Sequence, residues 1–410
     1  MPDSEYEDLI KAISNEVVVE EYFYKINGLS PQRCGFVPRI NSLKNLLARN
    51  YVVCGITILR LLWVPIFSIM YNLLFLSRIV IKKVNIIFYG QKKSDMNKVF
   101  FCSGKLSYER MLCTIGDCEL SIILRPLDNK LDYNNDSTIN VLELISFSTM
   151  LSTFIKSIYI TAKMRRSEYS SWILQSYVVF EWLLVYRALS KIDANLFFST
   201  DHFDRWAVLV DCIVDRKKIE NSASFTIIQH GILCASNEVV LPFELCYKLK
   251  NVDVIYAFDE KSKKIFSNSI LQRRCTPPSY ILIEPKIELE ETCNNKINVL
   301  FVGHSACLDF QVSILNKLKL SASCLDVAFI YKPHPTQRHL NSLNDFPWDV
   351  YMNKDKFPNV DIVITYPSTL GYEYSLLRKT IFEHPIDAVL EDEIILLSSI
   401  NNELLRIQTI

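Results

Sequence analysis

Short apolar runs that each end in a cluster of polar residues recur along this 410-residue chain. Residues 225–228 run into Gln229-His230-Gly231, and residues 361–365 are followed by Ser368-Thr369. Uninterrupted apolar runs of this length are typical of strands buried in a parallel sheet, and helical patterns stand between them. Repeated strand–helix units of this kind predict an α/β fold with doubly wound, Rossmann-like sheets.

The pattern falls into two parts. We expect a first domain over residues 1–282 and a second domain over residues 298–410, because a polar stretch with little periodicity separates them. A mostly helical, apolar-rich insertion is expected over residues 138–192. The length allows two cores. Polar strand ends that face a cleft between two such domains would form a ligand site.

Composition excludes several classes of protein. Lys and Arg together number 45, as do Asp and Glu, so the chain lacks the basic excess of a nucleic-acid binder. The 12 cysteines are scattered without a C-x-x-C pair, which favours reduced thiols in a cytoplasmic protein. The acidic start indicates no signal peptide. Only 9 glycines occur, and no glycine-rich phosphate loop is present. No metal motif is found, so we expect neither a metal nor another cofactor.

Residues 51–77 contain a single charged residue, Arg60, and Lys82, Lys83, Lys92 and Lys93 follow. One interpretation is an apolar helix that lies on or dips into an anionic membrane surface, with contact through residues 51–93. The other is a buried core helix that runs into a strand over residues 84–89. The uncharged part is at the short limit for a spanning helix.

The second domain carries the sharpest signal, Lys332-Pro333-His334-Pro335, directly after the predicted strand 327–331. Two prolines fix the backbone on both sides of the histidine. If this strand lies beside strand 361–365, His334 and Lys332 would join the Ser368 and Thr369 hydroxyls around one phosphate. The alternatives are a rigid turn with an exposed histidine, and a helix N-cap followed by a solvated Glu373.

Other strand ends carry further candidates. Gly303-His304-Ser305 either adds amide groups to the same phosphate site or is an ordinary turn. In the first domain, Asp201, Asp204 or His230 could act as a general base. His202, Arg205, Gln229 and Gly231 would line the acceptor side. The structural alternative for this cluster is a helix cap with an ion pair between Asp201 and Arg205.

These motifs together resemble those of GT-B enzymes of bacterial surface-polysaccharide synthesis. The K-P-H-P, S-T-x-G-x-E and Q-H-G segments are most similar to those of capsule-synthesis Kdo transferases. They are more distantly similar to sialyl- and polysialyltransferases and to CDP-glycerol glycerophosphotransferases. The resemblance implies two Rossmann-like domains and no metal. It also implies a phosphate clamp at His334, Pro335, Ser368 and Thr369, with Glu373 approaching the ribose or base.

The chain departs from these families in two places. It has no acidic D/E-D/E-G triplet, which carries the base in sialyltransferases, and Gln229 replaces the Trp of the glycerophosphotransferase W-H-G motif. We therefore expect a metal-independent transferase that moves a sugar, preferably CMP-linked, to a surface polysaccharide or lipid-linked glycan. It would work in the cytoplasm, at the inner face of the bacterial membrane if residues 51–93 contact lipid. The alternatives are a CDP-glycerol-type phosphotransferase, a non-catalytic partner of the same fold and a nucleotide-sugar epimerase.

Overall fold

The chain folds into two compact units, each built on a parallel sheet. The structure, a computed structural model, describes residues 4–26, 28–34, 36–39, 50–89, 96–116, 120–129, 137–220, 223–233, 238–283, 287–292, 295–334, 341–353, 356–386, 388 and 390–409. The first unit comprises residues 1–230 and 239–283, and the second comprises residues 231–238 and 284–410. Residues 231–238, predicted in the first domain, thus cluster with the second unit.

The first unit is rich in helices. They are α1 (Ser4–Ile26), α2 (Pro31–Cys34), α3 (Asn50–Leu62), α4 (Ser68–Tyr89), α5 (Lys105–Ile115), α6 (Val141–Leu144), α7 (Phe147–Met164), α8 (Val179–Ser190), α9 (Arg205–Glu220) and α10 (Glu260–Ile265), with π turns at Trp63–Phe67 and Phe266–Ile270 and a 3₁₀ segment at Glu168–Val178. Side chains cap several of these helices. The Ser146 hydroxyl accepts the Thr149 N–H at the start of α7, for example.

The sheet of the first unit has seven strands. They are β1 (Lys98–Cys102), β2 (Ser121–Leu124), β3 (Thr138–Asn140), β4 (Leu196–Ser199), β5 (Ser224–Ile228), β6 (Val252–Ala257) and β7 (Ser279–Leu282). Their order is β3-β2-β1-β4-β5-β6-β7, with parallel pairing throughout. This is the Rossmann order with one added edge strand, and its strand order reverses between β1 and β4.

The second unit repeats this topology on a smaller scale. Its elements are β8 (Glu288–Glu290), β9 (Ile297–Val302), α11 (Leu308–Ser321), β10 (Val327–Lys332), a 3₁₀ turn (Asn341–Asp345), β11 (Asp349–Val350), β12 (Lys356–Pro358), β13 (Ile362–Thr365), α12 (Thr369–Leu376), β14 (Thr380–Glu383) and α13 (Leu390–Gln408). The parallel sheet has the order β11-β10-β9-β13-β14, and β8 pairs with β12 separately. The order reverses between β9 and β13.

Burial on both sheet faces explains the apolar strand sequences of the second unit. In β9, Val299 and Phe301 pack into the core on one face of the sheet, and Leu300 and Val302 pack into the core on the other. Alternate residues of a strand point to opposite faces, so a strand covered by helices on both sides must be apolar throughout. The predicted α/β class with Rossmann-like parallel sheets is confirmed.

The structure corrects four predictions about individual elements. Strands β10 and β13 are not neighbours, because β9 lies between them. The polar stretch predicted as a linker contains β8, which pairs with β12. Residues 138–192 begin with an edge strand, β3, rather than a helix. Residues 84–89 continue α4 and form no strand.

The apolar segment near the N-terminus is helical from Asn50 to Tyr89. The π turn at Trp63–Phe67 contains Pro65, which lacks the N–H that a regular α-helix needs, and Ser68 N–H bonds to the Trp63 carbonyl. Among the described residues, one helix, Cys54–Phe88, has the length and apolar composition needed to cross a membrane. Lys92 and Lys93 lie outside the described residues.

Candidate functional site

The tip of β9 forms the centre of the candidate site in the second unit. Gly303 is buried, and a Cβ atom there would lie 2.1 Å from the Tyr331 ring carbon Cζ and hydroxyl oxygen. Tyr331 cannot move aside easily, because it is fully buried and stacks on Trp348 with ring centroids 4.2 Å apart. Only glycine therefore allows the chain to turn here, which places the next residue, His304, at the carboxyl edge of the sheet.

His304 is held in one tautomer. Its Nδ1 accepts the backbone N–H of Ala306 at 3.1 Å, so the ring proton of the neutral imidazole sits on Nε2. The ring lies edge-on to His334, with centroids 5.1 Å apart, and 5.2 Å from the Tyr366 ring. His304 is therefore a neutral Nε2–H donor between the tips of β10 and β13.

The Ser368 hydroxyl is used within the protein. It accepts the Gly371 N–H at 3.0 Å and so caps α12. It also lies 2.8 Å from the Thr365 Oγ1, whose own proton goes to the Tyr366 carbonyl at 2.6 Å. The Ser368 proton must therefore point to Thr365. Ser368 shapes the turn, and its hydroxyl is not directed at a ligand in this arrangement.

Thr369 is the hydroxyl that offers a proton at the start of α12. Its Oγ1 accepts the Ile232 N–H at 3.2 Å, which leaves the hydroxyl hydrogen to be donated elsewhere. A Cβ on Gly231 would lie 3.4 Å from the same oxygen, so the Gly231–Ile232 segment approaches closely. The first N–H groups of a helix and a hydroxyl donor together favour an anion. Thr369 and His304 thus supply donors on the two strands where the order reverses.

The remaining residues predicted for the donor phosphate are placed differently. The Lys332 ammonium donates to the Asn353 carbonyl and lies 5.0 Å from the centres of the Tyr351 and Phe357 rings, a buried cation–π arrangement. Glu373 is buried within α12. His334 lies two residues after the end of β10 and is half-buried, next to the tip of β9. Pro335 lies outside the described residues. We call Gly303, His304, His334 and Thr369, together with the Ser368 cap that fixes the start of α12, the phosphate tip.

In the first unit, the ends of β4 and β5 bring two histidines together. His202 and His230 stack with ring centroids 4.4 Å apart, and the backbone N–H of His230 donates to His202 Nε2. The His230 Nδ1 lies 2.5 Å from the Thr200 carbonyl oxygen, which can only accept, so Nδ1 carries the proton. The Nε2 of His230 is consequently left with a lone pair, the atom that a general base requires.

Both imidazoles are held neutral. Burial places the pKa of His202 well below its usual range, and the neighbouring His230 adds to this shift. His230 is exposed as a residue, but the protein groups packed around it still desolvate the imidazole, which lowers its pKa as well. Because this pKa is lowered from 6.5, His230 is unprotonated and able to accept a proton at neutral pH.

Asp201 and Asp204 are neighbouring carboxyls that interact with each other. Burial, and then the charge of Asp201, raise the pKa of Asp204 to about 8, and burial also raises the pKa of Asp201. Asp204 Oδ1 accepts the Trp206 and Ala207 N–H groups and caps α9. Asp201 accepts hydrogen bonds from Ser103 and Ser199 at 3.0 and 3.2 Å. We call Asp201, His202, Asp204 and His230 the histidine–aspartate cluster.

Two predicted acceptor-side residues serve the fold. Arg205 forms an ion pair with Glu16 of α1 and also bonds to the Tyr177 hydroxyl, so the predicted pair with Asp201 is wrong. The Gln229 amide is fully buried, donates to Ser262 Oγ and accepts the Phe258 N–H. Gly231 belongs to the second unit, as described above.

The tip of β1 was not predicted as part of the site, and it lies beside β4 where the strand order of the first sheet reverses. Ser103 bonds to Asp201, and Ser107 of α5 lies 2.5 Å from the Thr200 hydroxyl. The signal was a Ser-Gly pair after a buried strand, which is also the composition of an ordinary turn. Among the residues that the structure describes, no group of three or more His, Cys, Asp or Glu side chains is arranged to hold a metal ion.

The chain has only distant similarity to proteins of known structure. No protein-family model and no curated protein matches the chain. The solved structure of the spinosyn rhamnosyltransferase SpnG is similar with a TM-score of 0.35 and 9% identity, over 74% of this chain and 84% of that one. The glycotransferase of kitacinnamycin gives a TM-score of 0.33 and 8% identity, over 77% and 95%. TM-scores this low do not show a shared fold, so the α/β class follows from the strand order of the two sheets alone.

Proposed function

We propose that the chain is a glycosyltransferase of the GT-B type that uses a nucleotide-linked sugar. The observation that carries the proposal is the pair of donors at the reversal point of the second sheet. There, His304 Nε2–H and the Thr369 hydroxyl follow the ends of β9 and β13, the two strands that flank the position where open α/β sheets bind nucleotides. Neutral donors at such a point fit the phosphate of a nucleotide leaving group.

The reaction proposed is a single displacement. The acceptor hydroxyl gives its proton to His230 Nε2, and its oxygen bonds to the anomeric carbon of the donor sugar. The bond from that carbon to the phosphate oxygen breaks, and the nucleotide leaves with the electron pair. The phosphate tip binds the negative charge that grows on the leaving oxygen. We infer that no metal takes part, which predicts full activity in EDTA.

A CMP-linked donor such as Kdo or sialic acid, and a bacterial surface polysaccharide or lipid-linked glycan as acceptor, remain the preferred substrates on the motif resemblance. A lipid-linked acceptor agrees with contact between residues 51–93 and the inner face of the cytoplasmic membrane, which we also propose. The long, mostly apolar helix over residues 50–89 supports that contact.

The test is a panel of donors incubated with the purified full-length chain and membrane glycolipids. CMP-Kdo, CMP-sialic acid, a UDP-sugar and CDP-glycerol are compared by release of free nucleotide, with and without acceptor. We expect acceptor-dependent consumption of a CMP-sugar, lost in His304→Ala and His334→Ala. Consumption of CDP-glycerol would instead identify a phosphotransferase. Product without acceptor would identify an epimerase, and polymer production unaffected by His334→Ala would indicate a non-catalytic partner.

A further inference from the structure

Two helices of the first unit have their apolar side chains on the outside. Among the described residues, 29 large hydrophobic side chains are exposed, and 16 of them lie on the helix over residues 50–89 or on α7. On α7 they form one stripe at every fourth residue, Phe147, Leu151, Ile155 and Tyr159, and every fourth residue of an α-helix falls on one face. These 16 side chains are therefore concentrated on two elements.

The same helices bury polar side chains. Ser68 and Asn72 of α4, and Thr153, Ser157 and Thr161 of α7, are all at most 2% exposed. They meet each other, because the Asn72 amide donates to the Ser157 hydroxyl at 3.3 Å. The buried faces also hold apolar residues, namely Phe75, Ile79, Met150, Ile160 and Met164, but a helix of a water-soluble protein normally keeps its polar residues on the outer face. Small polar residues between helices and apolar residues outside are typical of helices surrounded by lipid.

Three contacts show that the two helices run side by side in opposite directions. Lys83 of α4 lies 5.6 Å from the ring of Phe147, the first residue of α7. Asn72 meets Ser157 near the middle, and Arg165 after the end of α7 bonds to the Leu61 carbonyl. The apolar stripe of α7 therefore runs alongside the apolar helix over most of its own length. A single surface of two antiparallel helices results.

The charges on these two helices have one sign, and all of them except Lys83, which is buried against the Leu142 carbonyl, are at least partly exposed. Residues 50–89 and 147–164 contain six basic residues, Arg60, Arg78, Lys82, Lys83, Lys156 and Lys163, and no Asp or Glu. The rest of the chain balances them, since Lys and Arg equal Asp and Glu at 45 each. Basic residues beside an apolar face complement the headgroups of anionic lipids. A protein partner with an apolar face alone would not explain this bias.

The long helix does not leave the folded unit. Trp63 donates to the Ser176 hydroxyl, Phe75 packs against Phe180, and Lys83 donates to the Leu142 carbonyl. One face is thus attached to protein over about five turns, so lipid reaches only the opposite face. This geometry fits a helix pair that lies in the plane of the membrane rather than across it.

We propose that α7 and the helix over residues 50–89 form one membrane-binding surface, whose outer face enters the acyl region of an anionic bilayer. This surface adds a second helix to the membrane contact proposed above for residues 51–93, and its binding to lipid does not depend on glycosyl transfer. The stripe of α7 contacts lipid as the long helix does.

The test is flotation of the full-length chain with vesicles of phosphatidylcholine, with or without about a third phosphatidylglycerol. The chain should float with the anionic vesicles and much less with the neutral ones. Leu151→Ser with Ile155→Ser should lower the partition coefficient between lipid and water by roughly 100-fold, because two apolar side chains that the lipid would bury are lost. Phe147→Ser with Tyr159→Ser should act in the same way.

The matched control is Leu106→Ser with Ile219→Ser, which changes side chains 67% and 84% exposed on two other helices of the same unit. Its flotation should equal that of the wild type. Thermal melting should be nearly unchanged in this control and in Leu151→Ser with Ile155→Ser, because these four positions are exposed. Wild-type flotation of both α7 variants would overturn the proposal. A second result would also overturn it: the chain forms a dimer without lipid, as seen by sedimentation, and the α7 variants dissociate that dimer but still float with vesicles. Nucleotide binding, measured in parallel, tests the proposed function separately.

Discussion

The two units share one topology and carry opposite chemistry at its reversal point. The first unit places titratable groups there, with Asp201 beside the tip of β1 and His230 bonded to Thr200. The second unit places neutral donors there, namely His304 Nε2–H and the Thr369 hydroxyl. The fold provides the position in both units, and the side chains decide whether that position suits proton transfer or anion binding.

The difference extends to how each region is held. In the histidine–aspartate cluster, burial moves the pKa of every member, so its charge states depend on its neighbours. In the phosphate tip, backbone bonds and a glycine fix the geometry, as Gly303 and the Ser368 cap do. Changes in the first region should therefore alter rates and pH dependence, whereas changes in the second should alter nucleotide affinity.

The largest effect is expected from His230→Gln. Glutamine can still donate to the Thr200 carbonyl but cannot accept a proton, so kcat should fall by roughly 10²–10⁴-fold, the usual contribution of a general base. Nucleotide affinity, measured by calorimetry, should not change. A parallel loss of affinity would mean that the two regions do not divide their roles.

The pH profile of the wild type identifies the base independently. Because the pKa of His230 is lowered from 6.5, kcat/KM should rise with pH and level off below that value. If Asp204 were the base, the rise would come near pH 8, where that carboxyl loses its proton. A rise near pH 8 that disappears in Asp204→Asn would transfer the role from His230 to Asp204.

An intermediate effect is expected from Thr369→Val. Valine has the same shape but no hydroxyl, so nucleotide affinity should fall by roughly 10–100-fold, the value of one hydrogen bond to a charged group. Ser375→Ala is the matched control, because this exposed hydroxyl of α12 donates to the Tyr372 carbonyl of its own helix. Equal affinities in the two variants would remove Thr369 from the proposed site.

The sequence predicted the strands of both sheets better than their order. Buried parallel strands are apolar throughout, so β9, β10 and β13 could be located from composition alone. Their order depends on long-range pairing. Strands β10 and β13 were predicted to be neighbours, but β9 lies between them. Short elements such as β8 and β12 carry too few residues for any periodic signal.

For the candidate site, residue types could be predicted, but hydrogen-bond partners could not. Lys332 and Arg205 looked like ligand-binding cations, yet the ammonium of Lys332 lies between two rings and Arg205 pairs with Glu16, which is far away in sequence. Ser368 and Thr369 are adjacent and chemically alike, and only the positions of Gly371 and Ile232 distinguish the capping hydroxyl from the donating one.

The smallest effect on the reaction is expected from Asp204→Asn, which sharpens the comparison through stability. An amide imitates the protonated carboxyl, since its oxygen can cap α9 and its nitrogen can donate to Asp201. Because the pKa of Asp204 is raised from 3.8 to about 8, its stabilising effect is complete below pH 3.8 and is lost as pH rises through 8. The asparagine variant does not titrate there, so its melting temperature relative to the wild type should increase steadily from pH 4 to pH 8. The free energy of unfolding of the variant should gain on the order of 1 kcal/mol per pH unit over that of the wild type. Turnover should stay close to that of the wild type. A difference that is constant with pH would show that Asp204 is ionised in the folded chain, and the contrast between a proton-holding cluster and a neutral phosphate tip would fail.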